Sequence, residues 1–217
     1  MLDYININWQ SSVCIRTKSA TVYFDPWKLE EELHDADIIC ISHNHFDHFS
    51  LEDIDKAANS NTVLVAPASI RADVTGETVI CEKNCKFAEP GEIINIGDVT
   101  VETVPAYNVG KEFHKKEYGW LGYILEADGI RYYFAGDTDV NDDVKQVRCD
   151  VALLPVGGYY TMKADEAAEL TNEIAPKYAI PMHFGCVDNA GTKSDDTNFA
   201  SKINKNTEVV FKLHKTR

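Results

Sequence analysis

Positive charge is scarce in this sequence: 21 lysines and arginines stand against 35 aspartates and glutamates, a formal net charge of -14. No basic cluster longer than "HKK" at 114–116 offsets it, so a polyanion would be repelled and nucleic acid is not an expected partner. Long apolar runs are missing as well. A membrane-spanning helix needs roughly 18 to 20 apolar residues in succession, and no stretch approaches that. The opening "MLDYININWQ" has neither the basic nor the apolar region of a signal peptide, so the expected location is the cytoplasm. Cysteines are present but wrongly spaced for a closed four-cysteine zinc site. Of Cys14, Cys40, Cys81, Cys85, Cys149 and Cys186 only Cys81 and Cys85 lie close, in "CEKNC", and no second pair follows. With 44% hydrophobic residues the chain can build a core without disulfide staples, so free thiols are expected. Repeats, low-complexity stretches and linkers are absent too, and residues 1–217 read as a single domain.

What the sequence does have is β-type patterning. "YININ", "SVCIRT", "TVYFD", "DIICIS", "TVLVA", "TVIC", "VTVETVPA", "LGYILEA", "IRYYFAGD", "DVALLPV", "YAIPM" and "EVVFKL" alternate or run apolar as strands do. Helices are expected at 50–58, where Ser50 and Asp53 have capping-box spacing, at about 140–147, at 164–174 and at about 195–203. One-sided sheets and amphipathic helices must each hide an apolar face, which predicts an α/β fold of two sheets packed face to face with helices outside. One connection fits neither period: "PAYNVGKEFHKKEYGW", residues 105–120. Compact domains seldom keep so long an irregular segment without a use for it.

The densest chemistry lies in "CISHNHFDHFS", residues 40–50. His43 and His45 stand two apart, so on an extended chain their rings share a face and can grip one cation. Asp47 and His48 follow where the chain turns towards the helix capped at Ser50, free to address a second cation. Other strand ends carry comparable groups: "YYFAGDTD" leads to Asp137 and "IPMHFG" to His183. A carboxylate can bridge two cations about 3.5 to 4 Å apart, and Asp137 is the candidate bridge.

The run His-x-His-x-Asp-His with a distal His, Asp and final His resembles the signature of the metallo-β-lactamase superfamily, over nearly the whole chain. "FDPW", "VPAYN", "GWLGYILEADGIRYYFAGDTD", "DVALLPVGGYYTM", "EAAEL" and "PKYAIPMHFG" resemble its lactonase and phosphodiesterase-like branch, which includes ascorbate-6-phosphate lactonase and N-acyl phosphatidylethanolamine phospholipase D. The resemblance implies a four-layer αββα sandwich with its site at one edge between the sheets. It implies two divalent metal ions, the first on His43, His45 and a third histidine, the second on Asp47, His48 and His183, with Asp137 bridging. Asp47 and Asp137 are then the catalytic candidates. Relatives often carry the third histidine where this chain has Asn108. His114 is the expected substitute, because an amide oxygen is a poor zinc ligand beside imidazole; Asn108 itself, or an incomplete first site, are the alternatives.

The implied activity is hydrolysis of a small ester, lactone or phosphodiester by a metal-bridging hydroxide. Zinc is the first choice for imidazole and carboxylate ligands, with manganese or iron also suited. The alternatives are an iron-dependent oxidoreductase on the same scaffold and a non-catalytic metal-binding protein. Lys111, Lys115 and Lys116 flank His114 and would favour an anionic small-molecule substrate, unless they simply face water. Tyr159, Tyr160 and Thr161 end near the same edge, as substrate contacts or as rim packing. Asp25 either orients a metal-bound histidine or serves only as a turn residue before Pro26. Cys186 reads as a thiol outside the ligand set, and His34 and His214 as surface residues, His34 in a helix.

Overall fold

The computed structural model describes residues 2–215. One sheet runs in chain order: β1 (Ile5–Ile7), β2 (Val13–Arg16), β3 (Thr21–Phe24), β4 (Ile38–Cys40), β5 (Val63–Pro67) and β6 (Cys85–Ala88). β1 to β3 pair antiparallel and β3 to β6 parallel. The other contains β7 (Ile93–Ile96), β8 (Val99–Pro105), β9 (Leu121–Ala127), β10 (Ile130–Phe134), β11 (Val151–Pro155), β12 (Tyr178–Met182) and β13 (Glu208–Val209), again in sequential order across the sheet. Its pairing changes from antiparallel to parallel at β10. Helices α1 (Leu51–Ala57) and α2 (Arg71–Val74) belong to the parallel part of the first sheet, α3 (Ala164–Ile174) and α4 (Ser194–Ala200) to that of the second.

Strand alternation sorts the core into layers. In β3, Val22 and Phe24 join residues of the second sheet such as Tyr123 and Phe134, with Phe24 stacked on Phe134 at 4.9 Å. Tyr23, between them, points the other way and packs in a separate cluster with Ile39, Leu64 and the α1 residues Ile54 and Ala57. α3 covers the second sheet through Ala167, Leu170 and Ile174. The result is the expected αββα arrangement. No helix among the described residues is long and apolar enough to cross a membrane, and Cys14, Cys40, Cys81, Cys85 and Cys149 are free thiols.

Five local readings need correction. "TVIC" is not a strand: the Val79 amide bonds to Asp55 and the Ile80 amide to Thr78, so these donors are spent on side chains, and pairing resumes only at β6. "EIINI" supplies β7, an edge strand with alternating exposure that the sequence reading omitted. Residues 140–147 hold only a 3-10 turn, Val144–Gln146, because the Asn141 side chain captures the amides of Asp143 and Val144. His34 is exposed in irregular chain rather than a helix, and only Glu208–Val209 of "EVVFKL" is strand.

At α1, Ser50 does accept from the Asp53 amide at 3.3 Å. The reciprocal half of the box is replaced: Asp53 accepts from the amides of Lys28 and Leu29, each at 2.8 Å. That ties α1 to the loop that leaves β3 through Asp25.

Candidate metal centre

The carboxyl ends of β3, β4, β8, β10 and β12 open onto one rim, the edge at which α/β sheets place their ligands. Asp25 follows β3, residues 43–48 follow β4, the loop bearing His114 follows β8, Asp137 follows β10 and His183 directly follows β12. Three of these residues sit in left-handed backbone: Asp25 (φ 44°), His114 (φ 51°) and His183 (φ 56°). Such a conformation costs a non-glycine residue about 1 to 2 kcal/mol, and it clusters where the fold must aim a side chain. Asp137 is aimed by Gly136 (φ 62°), where a Cβ would come within 2.9 Å of the Leu121 carbonyl and 3.2 Å of the Ser42 Cβ.

The side chains singled out from the sequence meet in two groups. His43, His45 and His114 form one triad of donor atoms and Asp47, His48 and His183 another, each within 4.8 Å of one another. In the first, His45 Nδ1 lies 3.1 Å from His43 Nε2 and 3.3 Å from His114 Nε2. In the second, Asp47 Oδ2 lies 3.6 Å from His48 Nε2 and 3.7 Å from His183 Nε2. Asp137 stands between them and divides its oxygens. Oδ1 faces His48 Nε2 at 3.3 Å and His183 Nε2 at 3.2 Å. Oδ2 faces His114 Nε2 at 3.2 Å and His43 Nε2 at 3.9 Å.

These spacings suit a cation. Ligand bonds of about 2.0 to 2.1 Å in a tetrahedron separate the donor atoms by roughly 3.3 Å. His48 Nε2, His183 Nε2 and Asp137 Oδ1 are also buried with no hydrogen-bond partner, a cost the chain would not carry without something for them to hold.

A third group, Asp25, His43 and His48, explains how the rings are held. Fully buried, Asp25 lies 2.7 Å from His48 Nδ1 and accepts from the Ser42 amide at 2.7 Å and the Ser42 hydroxyl at 2.5 Å. Since that hydroxyl gives its proton to Asp25, it accepts at 2.9 Å from His43 Nδ1. With a cation bound, both rings would keep their proton on Nδ1 and offer the Nε2 lone pair to the ion. Asp25 is therefore an orienting residue and more than a turn.

The charges are strongly coupled. Burial holds His43 well below the usual histidine range, helped by His48 and against the pull of Asp137. Burial likewise lowers His45, with His114 adding to it. For His48 burial opposes the charge but Asp137 and Asp47 outweigh it, so its pKa lies well above the ordinary value. Asp137 is buried too, yet His183 and His48 pull it well below the carboxylate range. Burial raises Asp25 against the opposing pull of His48 and Ser42.

The loop 105–120 puts His114 into the first triad. Asn108 turns its amide nitrogen to the Tyr160 carbonyl at 2.7 Å and to His114 Nδ1 at 3.1 Å. The same carbonyl lies 3.1 Å from His114 Nδ1, and the two residues are also joined by a backbone bond from Asn108 to the His114 carbonyl. Asn108 thus sits beside His114 and is tied to it through the backbone.

A cavity of about 240 Å³ opens onto the centre. His45, Asp47, His114, Asp137 and His183 form its floor, and Phe46, Phe113, Tyr160 and Val187 its walls. Tyr159 stays at the rim and Thr161 is buried behind it. The lysines read from the sequence as anion-attracting are mostly spoken for. Lys111 pairs with Asp139 at 2.6 Å and Lys116 with Asp143 at 2.8 Å, while Lys115 is exposed and outside the cavity. Cys186 is buried against the Lys215 carbonyl and joins none of the donor groups; His34 and His214 are exposed and likewise outside them.

Gln10 and Trp120 escaped the sequence reading. Gln10 donates to Asp47 Oδ2 at 3.4 Å and accepts from the His183 amide at 3.1 Å. Trp120 lies against the His43 ring, centroid to centroid 4.6 Å.

A sequence-family profile described as a beta-lactamase superfamily domain matches residues 5–183. Over 205 residues, 85% of this chain and 86% of the relative, the chain is 29% identical to a UPF0173 metal-dependent hydrolase of Koribacter versatilis. Over 187 residues it is 33% identical to one of Aeropyrum pernix, covering 76% of this chain and 75% of the relative. The fold matches Igni18, a metallo hydrolase of Ignicoccus hospitalis, with a TM-score of 0.76 at 21% identity, over 96% of this chain and 94% of the other.

Proposed function

We propose, since this chain belongs to the metallo-β-lactamase superfamily and is a metal-dependent hydrolase within it, that its centre takes two divalent cations and that its substrate is a small ester, lactone or phosphodiester. The observation that carries the dinuclear reading is the division of Asp137, with one oxygen towards each triad. His43, His45 and His114 with Oδ2 would hold one cation; Asp47, His48 and His183 with Oδ1 the other. Imidazole and carboxylate donors suit zinc first. When bound, the cations supply Lewis acidity towards a carbonyl or phosphoryl oxygen and acidify a water to a pKa of about 7.

The chain's own residues do the rest. Asp25 and Ser42 keep the Nδ1 protons of His48 and His43 in place, so those rings need not reorganise to accept a cation. Asp47 lines the cavity floor beside Asp137 and meets its triad through Oδ2 alone, so it is the carboxylate placed to receive a proton from attacking water. The walls narrow access to the floor and limit competing solvent.

Metal analysis tests this reading. Purified protein should carry two zinc or manganese ions per chain and hydrolyse members of a lactone and phosphodiester panel. Chelation should stop turnover and lower the melting temperature by roughly 10–20 °C, the loss of two ligands each held at about 100 times its Kd from a chain of this size. One ion, none, or redox-active iron with a visible spectrum would overturn it.

The third ligand has its own test. His114→Ala should halve the metal content and cut turnover by more than about 100-fold, whereas Asn108→Ala, which removes only a support, should weaken metal binding by about 10-fold. Equilibrium dialysis against zinc measures both. The reverse order would assign the ligand to Asn108.

A further inference from the structure

We infer that the substrate of this centre is small and that its non-reacting part is apolar and uncharged, seated against Phe46, Phe113, Tyr160 and Val187; the inference rests on the hydrolase reading and names the substrate class for the same site.

Charge is the first argument. No lysine or arginine lines the cavity among the described residues. Two of the loop's three lysines are engaged: Lys111 also donates to the Thr161 carbonyl at 2.8 Å beyond its pair with Asp139, and Lys116 is held by Asp143 and, at 3.3 Å, by the Tyr107 hydroxyl, while Lys115 is exposed and lines no part of the cavity. A phosphate or carboxylate on the remote end of a substrate would meet no partner there, and sites that select such groups supply one.

The second argument is apolar exposure. Phe46 is 66% exposed, Tyr159 59% and Phe113 38%. Large apolar side chains grouped and exposed around a cavity mark a binding surface. They also hold one another in position. Phe113 packs on Tyr160 at 5.2 Å and on Tyr159 at 5.8 Å, and Phe46 meets the edge of Trp27 at 6.0 Å. Aromatic walls fixed in this way cost little ordering when a ligand arrives.

Covalent adjacency is the third. Phe46 lies between His45 and Asp47, Phe113 precedes His114, and the Tyr160 carbonyl faces the His114 ring. The walls are therefore registered to the reacting atoms within a residue, and an apolar arm gripped by them delivers its electrophilic carbon to the floor. Size sets the limit: about 240 Å³ falls below the roughly 300 to 1,000 Å³ of pockets for drug-sized ligands.

The test uses metal-loaded full-length protein and 4-nitrophenyl esters of acetate, butyrate and hexanoate, with mono-4-nitrophenyl succinate as the anionic counterpart of the butyrate. From acetate to hexanoate, kcat/KM should rise at least about 10-fold, since each fully buried methylene is worth about fourfold. Phe46→Ala and Phe113→Ala should each flatten that rise while retaining the metal. The succinate should be the poorer substrate by about 10-fold or more. A flat series in the wild type, a slope retained in both variants, or faster turnover of the succinate overturns the inference. Calorimetric binding of hexanamide and acetamide separates this failure from that of the hydrolase reading, because it needs no turnover. A preference for hexanamide lost in the variants supports the apolar seat even where no ester is cleaved, and equal binding of the two amides refutes it.

Discussion

Asp137→Ala is expected to release both cations and to lower turnover by well over 100-fold. Outer partners of metal ligands are worth about 10 to 100-fold, and Asp137 is not an outer partner: its oxygens face four imidazoles of both triads at 3.2 to 3.9 Å. It is also 4% exposed, so water does not replace the lost charge. Even without metal the variant should be weaker. The raised pKa of His48 depends on Asp137 more than on any other carboxylate, and removing one partner of a buried charge pair costs about 3 to 5 kcal/mol. Asp137→Asn separates bridging from charge. It keeps the shape but offers one acceptor oxygen, so one cation should remain while the other is lost. Metal content by mass spectrometry and urea denaturation measure these effects. An alanine variant with two bound ions and a rate within about 10-fold of wild type would remove the bridge from the argument.

The centre was readable in the sequence to the extent that its signals were local. His43, His45, Asp47 and His48 share one strand end, and Asp137 and His183 each follow an apolar run that stops at the same edge. His114 had no periodicity behind it; ligand chemistry and the odd length of its loop pointed to it. What remained hidden acts across long separations or through the backbone. Gln10 reaches Asp47 across 37 positions, and the acceptor for His114 is the Tyr160 carbonyl, a group every residue carries. The lysines, left open in the sequence between attracting an anion and facing water, show the converse limit. Nearness to His114 was visible, but the carboxylates that neutralise Lys111 and Lys116 lie 28 and 27 residues further on. The fold followed the same rule. Strands buried on both faces were plain, whereas the half-exposed edge strand β7 and the segment 140–147, turned by one asparagine side chain, depended on contacts that patterning does not encode.

Asp25 offers the second large effect, and it distinguishes holding the fold from setting a proton. Asp25→Ala should destabilise the protein by about 3 to 5 kcal/mol, because the Ser42 amide, the Ser42 hydroxyl and His48 Nδ1 lose their common acceptor in a fully buried place. Asp25→Asn is the sharper variant. Its oxygen can still accept from the Ser42 amide in the place of Oδ1, but a nitrogen in the place of Oδ2 then faces both His48 Nδ1 and the Ser42 hydroxyl as a donor. A donor there favours the tautomer with the proton on Nε2, the atom that points at Asp137 and would have to bind the cation. Zinc affinity of the His48 triad should fall about 10 to 100-fold, and that of the first triad should fall too, because the Ser42 hydroxyl no longer passes its proton to residue 25 and so no longer accepts from His43 Nδ1. Competition against a chromophoric chelator resolves the two affinities, and 15N chemical shifts of the zinc-loaded protein report which ring nitrogen of His48 keeps its proton. If Asp25→Asn binds both cations as tightly as the wild type, the carboxylate serves packing alone and the tautomer of His48 is set elsewhere.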